Sequence, residues 1–560
     1  MKRIIICLSA IFAFTLFPAS TLASKNDVTN PQNTTLYGMV VCEGKPVKNV
    51  QVTDGVNITT TNSRGEYFLT SEKKYGLVYI TTPSGYDVPL ENGIFPKFWQ
   101  QTTLESKEKE CHDFELVKSD QREFSIIYCT DIHLCNDPKR HDLEKFKELQ
   151  MPAVKREVEK HKGHPVYTIS LGDTTWDRWW YETEFGLDEL KKYLKQCDYP
   201  TPFYAVMGNH DNDAATPASP TTDFDAARPF REKMGPTFFS FNKGKVHFVM
   251  LDNIVYKNEM KPGAKMQKNV AGSRNYDCYV EDNQLEWLKK DLSNVKKQTP
   301  IVVCMHAPLR NVDRNYRPIA GHKGPNGQKL IDILKAFDRV EIYSGHHHAN
   351  ISFVYDDAPN IHENVVSAVS GELWKSLYHS KRNFCMDGTD AGFYTCTYTG
   401  KKLVKEFCSQ HTDVPFRLYD MNEVGKYYQT GKQAKQLRHL FSLQERQTDF
   451  SQKSFENVVY INLFFTDENT EITVTEDGRK LLVEKVMDSD PMASVFLHSY
   501  TVKKKTKRDS VIDKRGWIGH MYHVKTSNAN TSLSVTVKTK YGKEYTKNYA
   551  RPYTFPQFNE

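Results

Sequence analysis

Five short segments of this 560-residue chain carry side chains that bind cations: Asp131-Ile-His133, Gly172-Asp173, Gly208-Asn209-His210, His306, and Gly345-His346-His347-His348. Each follows an apolar, β-branched run, at residues 124–130, 166–171, 203–207, 301–305 and 340–344; residues 246–251, before Asp252, are a sixth run of the same kind. Such runs read as buried strands, and strands that end together bring the residues after them to one sheet edge. The donors gathered there are two aspartates, one asparagine and four histidines without a thiolate, a set that suits zinc, manganese or iron. A carboxylate such as Asp173 can bridge two cations ~3.5 to 4 Å apart, where bound water ionises near a pKa of about 7 and supplies hydroxide as nucleophile.

Taken singly, each segment has an ordinary reading. Gly-Asp after a strand is a turn, Asn209-His210-Asp211 is a turn rich in Asn and Asp, and three consecutive histidines can be a surface tract. Their conjunction, in one order and with helical spacers between strands, is what points to a site. Leu143, Phe146, Leu149, Val154 and Val158 recur at roughly helical spacing, as do Leu285, Leu288, Leu292 and Val295, and then Leu330, Ile331 and Leu334. Residues 121–405 therefore read as a layered α/β domain. Residues 36–118 show short β segments with turn chemistry, a small all-β sandwich. After a polar, helix-leaning connection at 423–447 the β pattern returns, and residues 412–560 read as a second β-rich domain. No period of 20 to 50 residues repeats, which disfavours a solenoid or propeller.

The amino terminus reads Met1-Lys2-Arg3, an apolar stretch over 4–17, and small residues up to Ala23: a secretory signal peptide over residues 1–23, cleaved near Ala23. The mature chain is expected to be exported, periplasmic or extracellular, with no later segment near the ~20 apolar residues of a membrane span. Cleavage takes the formal charge from +6 to +4, which is no nucleic-acid signature, and the basic run over 503–508 reads as a solvated loop. Ten of the 11 cysteines remain. No CxxC pair occurs, so a structural zinc knuckle is disfavoured; Cys42 and Cys111 bracket the first domain and are the one pair to test as a disulfide.

The order DxH, GD, GNH, H, GHxH resembles the calcineurin-like metallophosphoesterase superfamily, and the stretch over 44–67 resembles the transthyretin-like or carboxypeptidase-regulatory-like repeat. The whole arrangement is similar to exported phosphoesterases of the Bacteroides type. The resemblance implies a four-layer αββα sandwich flanked by two small all-β sandwich domains. It also implies two divalent metal ions: Asp131, His133 and His348 on the first, Asn209, His306 and His346 on the second, Asp173 bridging both. His210 is then left to stabilise the transition state or protonate the leaving oxygen, and His347 points away.

Departures from the superfamily's better-known branches narrow the reading. Ser/Thr protein phosphatases carry Asp-Arg-Gly three residues after the bridging aspartate and Glu after GNH, where this chain has Trp176 and Asp211; the pair Asp177-Arg178 is displaced by one. Purple acid phosphatases place tyrosine where Trp176 stands, so a purple ferric centre is not expected. Trp176 and Trp179 read either as an aromatic platform for substrate or as packing between sheet and first domain. Arg310, four residues past His306, is the expected phosphate contact.

The implied activity is hydrolysis of phosphate mono- or diesters on a small substrate, by attack of a metal-bridged hydroxide. Alternatives are a nucleotidase or nuclease of the same superfamily, or a catalytically silent envelope- or glycan-binding protein. Metal identity, substrate and oligomeric state stay open.

Overall fold

A computed structural model of the chain describes residues 33–263, 267–313, 318–322, 324–375, 382–385, 387–431, 434, 448–451, 455–465, 469–495 and 518–555. The signal-peptide reading, the basic run over 503–508 and most of the connection over 423–447 lie outside these residues; its start forms the helix Met421–Thr430.

Two sheets face each other at the centre of the molecule. In the first, the order is Phe203–Ala205, Val166–Ser170, Glu123–Cys129, Gly392–Thr399, Lys402–Ser409, with the first three parallel and the rest antiparallel. In the second, it is Phe239–Lys243, Val246–Met250, Ile301–Cys304, Val340–Ser344, Ala358–Val365, Ile351–Tyr355, parallel from Val246–Met250 to Ala358–Val365. Parallel strands covered on both faces need apolar side chains on both, which is why these runs lack the alternation of a half-exposed sheet. Aromatic rings fill the space between the sheets. Tyr128 stacks on Tyr343 at 3.9 Å, Phe124 on Tyr398 at 5.0 Å, and the Tyr128 and Tyr398 hydroxyls lie 2.9 Å apart.

Helices close both outer faces. Leu190 and Leu194 of Leu187–Gln196, with Phe146 and Val154, pack on Ile127, Phe203 and Phe393 of the first sheet. Leu285 and Leu288 of Asp282–Leu292, with Leu330 and Leu334 of Gly327–Leu334, cover the second. The result is the four-layer αββα sandwich. The spacing from Leu149 to Val154 is five residues rather than three or four, and the chain accommodates it by a π-helical segment, Phe146–Gln150, between the helices Asp142–Lys145 and Met151–Lys160. Leu149 and Val154 thereby stay on the buried face.

β sandwiches flank this core on either side. In the first, strands Leu36–Cys42, Phe114–Lys118 and Glu66–Leu69 oppose Leu77–Thr81, Gln51–Thr53 and Trp99–Gln101. Its core is continuous with that of the central domain. Thr82 pairs with Phe241, Asn242 N donates to Thr82 O at 2.8 Å, and Phe203 N donates to Ile94 O at 2.8 Å. Cys42 and Cys111 are not bonded. In the parallel pairing of this sheet Cys111 lies opposite Tyr37 and Cys42 opposite Leu116, five residues apart along one strand, too far for a disulfide.

The second sandwich opposes the sheet Phe416–Asp420, Val458–Leu463, Ile518–Lys525, Glu484–Asp488 to the sheet Arg479–Lys480, Glu471–Glu476, Leu533–Lys538, Glu544–Tyr549. Its inner residues, among them Leu418, Ile461, Val535 and Val537, are fully buried. Buried polar groups tie it to the centre. Arg417 pairs with Asp390 and donates to Gly388 O at 3.0 Å, while the Asp387 carboxylate accepts from Asn350 N at 2.7 Å and lies 3.2 Å from His520 Nε2.

Candidate metal centre

All five ligand-bearing segments leave their strands at the same end of the sandwich, and the backbone turns sharply there. Asp131, His133, Asp173, His346 and His348 have φ of 51°, 48°, 52°, 69° and 47°, left-handed values that cost a non-glycine residue ~1–3 kcal/mol each and persist only where surroundings enforce them. Enforcement comes from cross-loop hydrogen bonds. Asp131 N donates to Gly172 O at 3.0 Å, His133 N to Asp173 O at 2.9 Å, and His346 N to Asp131 Oδ2 at 2.8 Å. Two glycines allow the loops to come this close. A Cβ on Gly208 would sit 2.2 Å from Asp173 N, and one on Gly345 would sit 1.8 Å from Thr130 Oγ1.

Asp131, His133 and His348 converge as one potential cation group, and Asp173, His306 and His346 as another. Asn209 joins the second, its Oδ1 3.0 Å from His306 Nε2. Within them, His348 Nε2 is 3.3 Å from Asp131 Oδ1 and His306 Nε2 is 3.3 Å from Asp173 Oδ2. Asp173 Oδ2 is also 3.6 Å from His133 Nε2, so this carboxylate touches both groups. His347 is in neither.

The tautomers follow from the carbonyl partners. His306 Nδ1 lies 2.9 Å from Leu171 O and His348 Nδ1 2.6 Å from Gly371 O. A carbonyl can only accept, so each Nδ1 carries a proton and Nε2 is the nitrogen each ring turns inward, where it can hold either a proton or a cation. Ring nitrogens then face one another, His133 Nε2 and His348 Nε2 3.2 Å apart, as are His346 Nδ1 and His306 Nε2. Asp131 Oδ1 is buried without a hydrogen-bond donor. A cation among these converging nitrogen and oxygen atoms would satisfy all of them at once, and the donor set fits a borderline divalent ion.

Electrostatics agree with that need. Burial pushes His133 down to about 4, so it is neutral. Burial would lower His306 too, but the charge of Asp173 outweighs it and raises the imidazole to about 9. Asp131, despite the cost of burial, is held well below the usual carboxylate range by His348 and His133.

His210 sits beside the cluster, its ring 5.3 Å from that of His133, and with His133 and Asp173 it makes a third group able to hold an ion. Its backbone N donates to Asp173 Oδ1 at 2.7 Å, and its Nδ1 is 2.8 Å from Asp177 Oδ1. Burial lowers its pKa, but the charges of Asp173 and Asp177 prevail and raise it. Asp177 is in turn bonded by Arg274 Nη1 at 2.9 Å and by the Tyr256 hydroxyl at 3.4 Å. The sequence marks Asp177 only as part of a displaced Asp-Arg pair, and nothing marks Tyr256, the last residue of the first strand in the hairpin of Ile254–Tyr256 and Tyr276–Cys278, or Arg274, two residues before the second. Asp211 acts structurally. Its carboxylate accepts from Gly208 N at 3.0 Å, Thr174 Oγ1 at 2.8 Å and Thr175 N at 3.0 Å, fastening two ligand loops together. Burial and the charge of Asp173 push it up to about 6.

Trp176 packs against the site and not between sheet and first domain. Its ring centroid is 5.6 Å from His133, 5.7 Å from His210 and 6.4 Å from Trp179. Arg310 corrects the expectation of a phosphate contact. Residues Arg310–Val312 turn away into a hairpin with Pro318–His322, and the guanidinium binds Asp357 at 2.7 Å over the ring of Tyr355. The two further arginines after His306, Arg314 and Arg317, which the sequence offers as guanidiniums near the site, lie outside the described residues. Asp252, after the sixth run, is not at the cluster; burial and neighbouring Asp223 raise its pKa well above the ordinary value.

Three family profiles match the chain. The profile described as calcineurin-like phosphoesterase covers residues 124–350, and its N-terminal and C-terminal companions cover 34–119 and 363–545. Human serine/threonine-protein phosphatase CPPED1 is 25% identical over 228 residues, 40% of this chain and 60% of the relative. Purple acid phosphatase 15 of Arabidopsis thaliana is 27% identical over 169 residues, 29% of this chain and 27% of that protein. The chain thus spans 60% of CPPED1 and 27% of the purple acid phosphatase, less than two thirds of either. Among solved structures, a dimetal phosphatase from Danio rerio aligns over 51% of this chain and 96% of its own, at 14% identity and a TM-score of 0.35.

Proposed function

The chain belongs to the calcineurin-like phosphoesterase family, and we propose that it is an exported, two-metal-dependent hydrolase of small phosphate mono- or diesters. The observation that carries this reading is the pair of carbonyl-bonded histidines, His306 and His348, whose Nε2 atoms face the carboxylates of Asp173 and Asp131. Asp131, His133 and His348 would hold one cation and Asn209, His306 and His346 the other, with Asp173 shared. Divalent cations bound there supply Lewis acidity, offsetting phosphoryl charge and making water a competent nucleophile near neutral pH.

The chain's own residues complete the chemistry. Asp177 fixes His210 Nδ1, so Nε2 is the nitrogen able to hold a proton beside the leaving oxygen. Arg274, tethered to Asp177, brings a cation to the same spot, the place that Arg310 does not fill. Trp176 covers His133 and His210 and restricts water on that side. The protein substrates in CPPED1's printed name are not adopted, because Trp176 and Asp211 depart from the protein-phosphatase pattern; the weak net charge of +6 likewise gives no grip on a long polyanion.

Elemental analysis of the purified protein, followed by turnover of paired p-nitrophenyl mono- and diesters, tests the reading. We expect close to two equivalents of metal, loss of turnover to a chelator and recovery on one added metal. Asp131→Asn should lose metal and activity together, whereas His210→Ala should keep its metal. A protein that stays metal-free and inert toward both esters with every divalent ion offered would sink the proposal, and metal loss in His210→Ala would make His210 a ligand.

A further inference from the structure

Beside the cluster the protein presents more buried hydrogen-bond donors than it has acceptors for. Trp176 is 7% exposed and its Nε1 has no partner; Trp179 Nε1 and Arg178 Nε are likewise buried and unpartnered. All three belong to one short turn, the 3-10 segment Asp177–Trp179 and the residue before it. Each such donor costs ~1–3 kcal/mol until an acceptor reaches it, and native proteins rarely leave several together. Other groups nearby are satisfied: Trp180 Nε1 donates to Thr175 Oγ1 at 3.0 Å, Trp374 Nε1 to Ile132 O at 2.8 Å and Arg274 to Asp177 at 2.9 Å, while Arg140 is ion-paired with Asp137 but its Nε makes no hydrogen bond. Trp287 Nε1 also lacks an acceptor, but it lies in the apolar core, its ring 5.2 Å from that of Phe238. Arg178 differs: its guanidinium carbon is 5.2 Å from the Trp179 ring centroid, and no carboxylate pairs with it among the described residues.

We infer that Trp176, Trp179 and Arg178 form a second subsite that takes an anionic group on the part of the substrate that is not hydrolysed. The inference rests on the phosphoester reading above and adds a substrate class to it: phosphoesters bearing a second phosphate or a carboxylate across a short spacer. Two indole N–H groups and an unpaired guanidinium are the chemistry of oxyanion recognition. The Trp176 ring borders His133 and His210 and has the Arg140 guanidinium 4.5 Å from its centroid, so this turn adjoins the metal-ligand cluster and has a second cation beside it. A neutral substituent would leave the same three donors unpaired, which is how a polar pocket rejects an analogue lacking its partner.

Phosphate release by the metal-loaded full chain from three probes reads this directly: propyl phosphate, phosphoglycolate and propane-1,3-diyl bisphosphate, with p-nitrophenyl phosphate as reference. We expect kcat/KM for phosphoglycolate or for the bisphosphate to exceed that for propyl phosphate by about tenfold or more, and the preferred probe distinguishes carboxylate from phosphate as the second group. Trp179→Phe, which keeps the ring and deletes the N–H, and Arg178→Gln should each shrink that advantage several-fold, through KM rather than kcat. Equal turnover of all three probes by the wild-type protein, or an advantage that survives in Trp179→Phe and Arg178→Gln alike, overturns the subsite while p-nitrophenyl phosphate turnover leaves the phosphoester reading intact. Inertness toward all four compounds overturns the subsite, and it overturns the phosphoester reading as well if the p-nitrophenyl diester is also left intact.

Discussion

With its Nδ1 held 2.8 Å from Asp177, and Asp177 held by Arg274 and Tyr256, the His210 ring has one orientation and one nitrogen left for proton transfer. If that nitrogen protonates the leaving oxygen, the need for it scales with how poor the leaving group is. His210→Ala should therefore cost ~10²- to 10⁴-fold in kcat on an alkyl phosphate and far less on p-nitrophenyl phosphate, whose phenolate departs unprotonated. Equal losses on both esters would move His210 from proton donor to charge stabiliser. At this scale the sequence was legible where a residue type is scarce and its place defined, as for Asp131, His133, Asp173 and the histidines at strand ends. It was silent on Asp177's partners, because Arg274 and Tyr256 arrive from a hairpin roughly a hundred residues further on, with no spacing to link them. Arg310 misled for a related reason: nearness in sequence to His306 does not constrain a chain that turns into a hairpin in between.

The strands are legible to within a residue or two because burial on both faces demands unbroken apolar runs, and the segment over 142–160 is legible as a helix but not as one interrupted by a π turn. The left-handed residues at the ligand positions were not foreseeable, since a φ above zero in Asp or His is imposed by neighbouring loops and not by propensity. A device in the first sandwich was equally hidden. Lys73 is buried and its ammonium donates to Glu105 O at 2.9 Å, to Glu108 O at 2.8 Å and to the Glu110 carboxylate, clasping the loop before Glu110–Cys111. Burial alone would raise Glu110, but Lys73 and Thr103 pull it down to about 2. Because the folded value lies below the ordinary 4.5, this stabilisation is complete above pH 4.5 and lost as pH falls toward 2. Lys73→Met should lower urea-unfolding stability by about 2 kcal/mol at pH 7, with the gap to wild type closing below pH 4.5. A pH-independent gap would show that packing, not the ion pair, is what Lys73 contributes.

Taken as a whole, the molecule places its second sandwich in the support of the metal centre. Asn350 lies two residues after His348; its backbone N is bonded to Asp387, its side chain donates to Phe464 O, and Asp387 rests against His520. Gly371, whose carbonyl fixes His348, packs on Phe384, which itself lies under Arg417. This coupling was out of reach of the sequence, where the β pattern after residue 412 said sandwich but not what it touches. The first sandwich has a different relation to the centre. Phe239–Lys243 is the last strand of its sheet, partnered on one side only, and Thr82 with its carbonyl meets the other side while Lys243 is buried against Asp87. Stripped of that cover, the strand would offer open N–H and C=O groups flanked by Phe239 and Phe241, a template for pairing with another copy. A chain beginning at residue 120 should accordingly elute as soluble aggregate in size-exclusion chromatography, and a monodisperse, active product would refute this. In colloidal terms the sandwich is a guard on an adhesive edge, and a domain without any chemistry of its own would still be needed to keep the enzyme in solution.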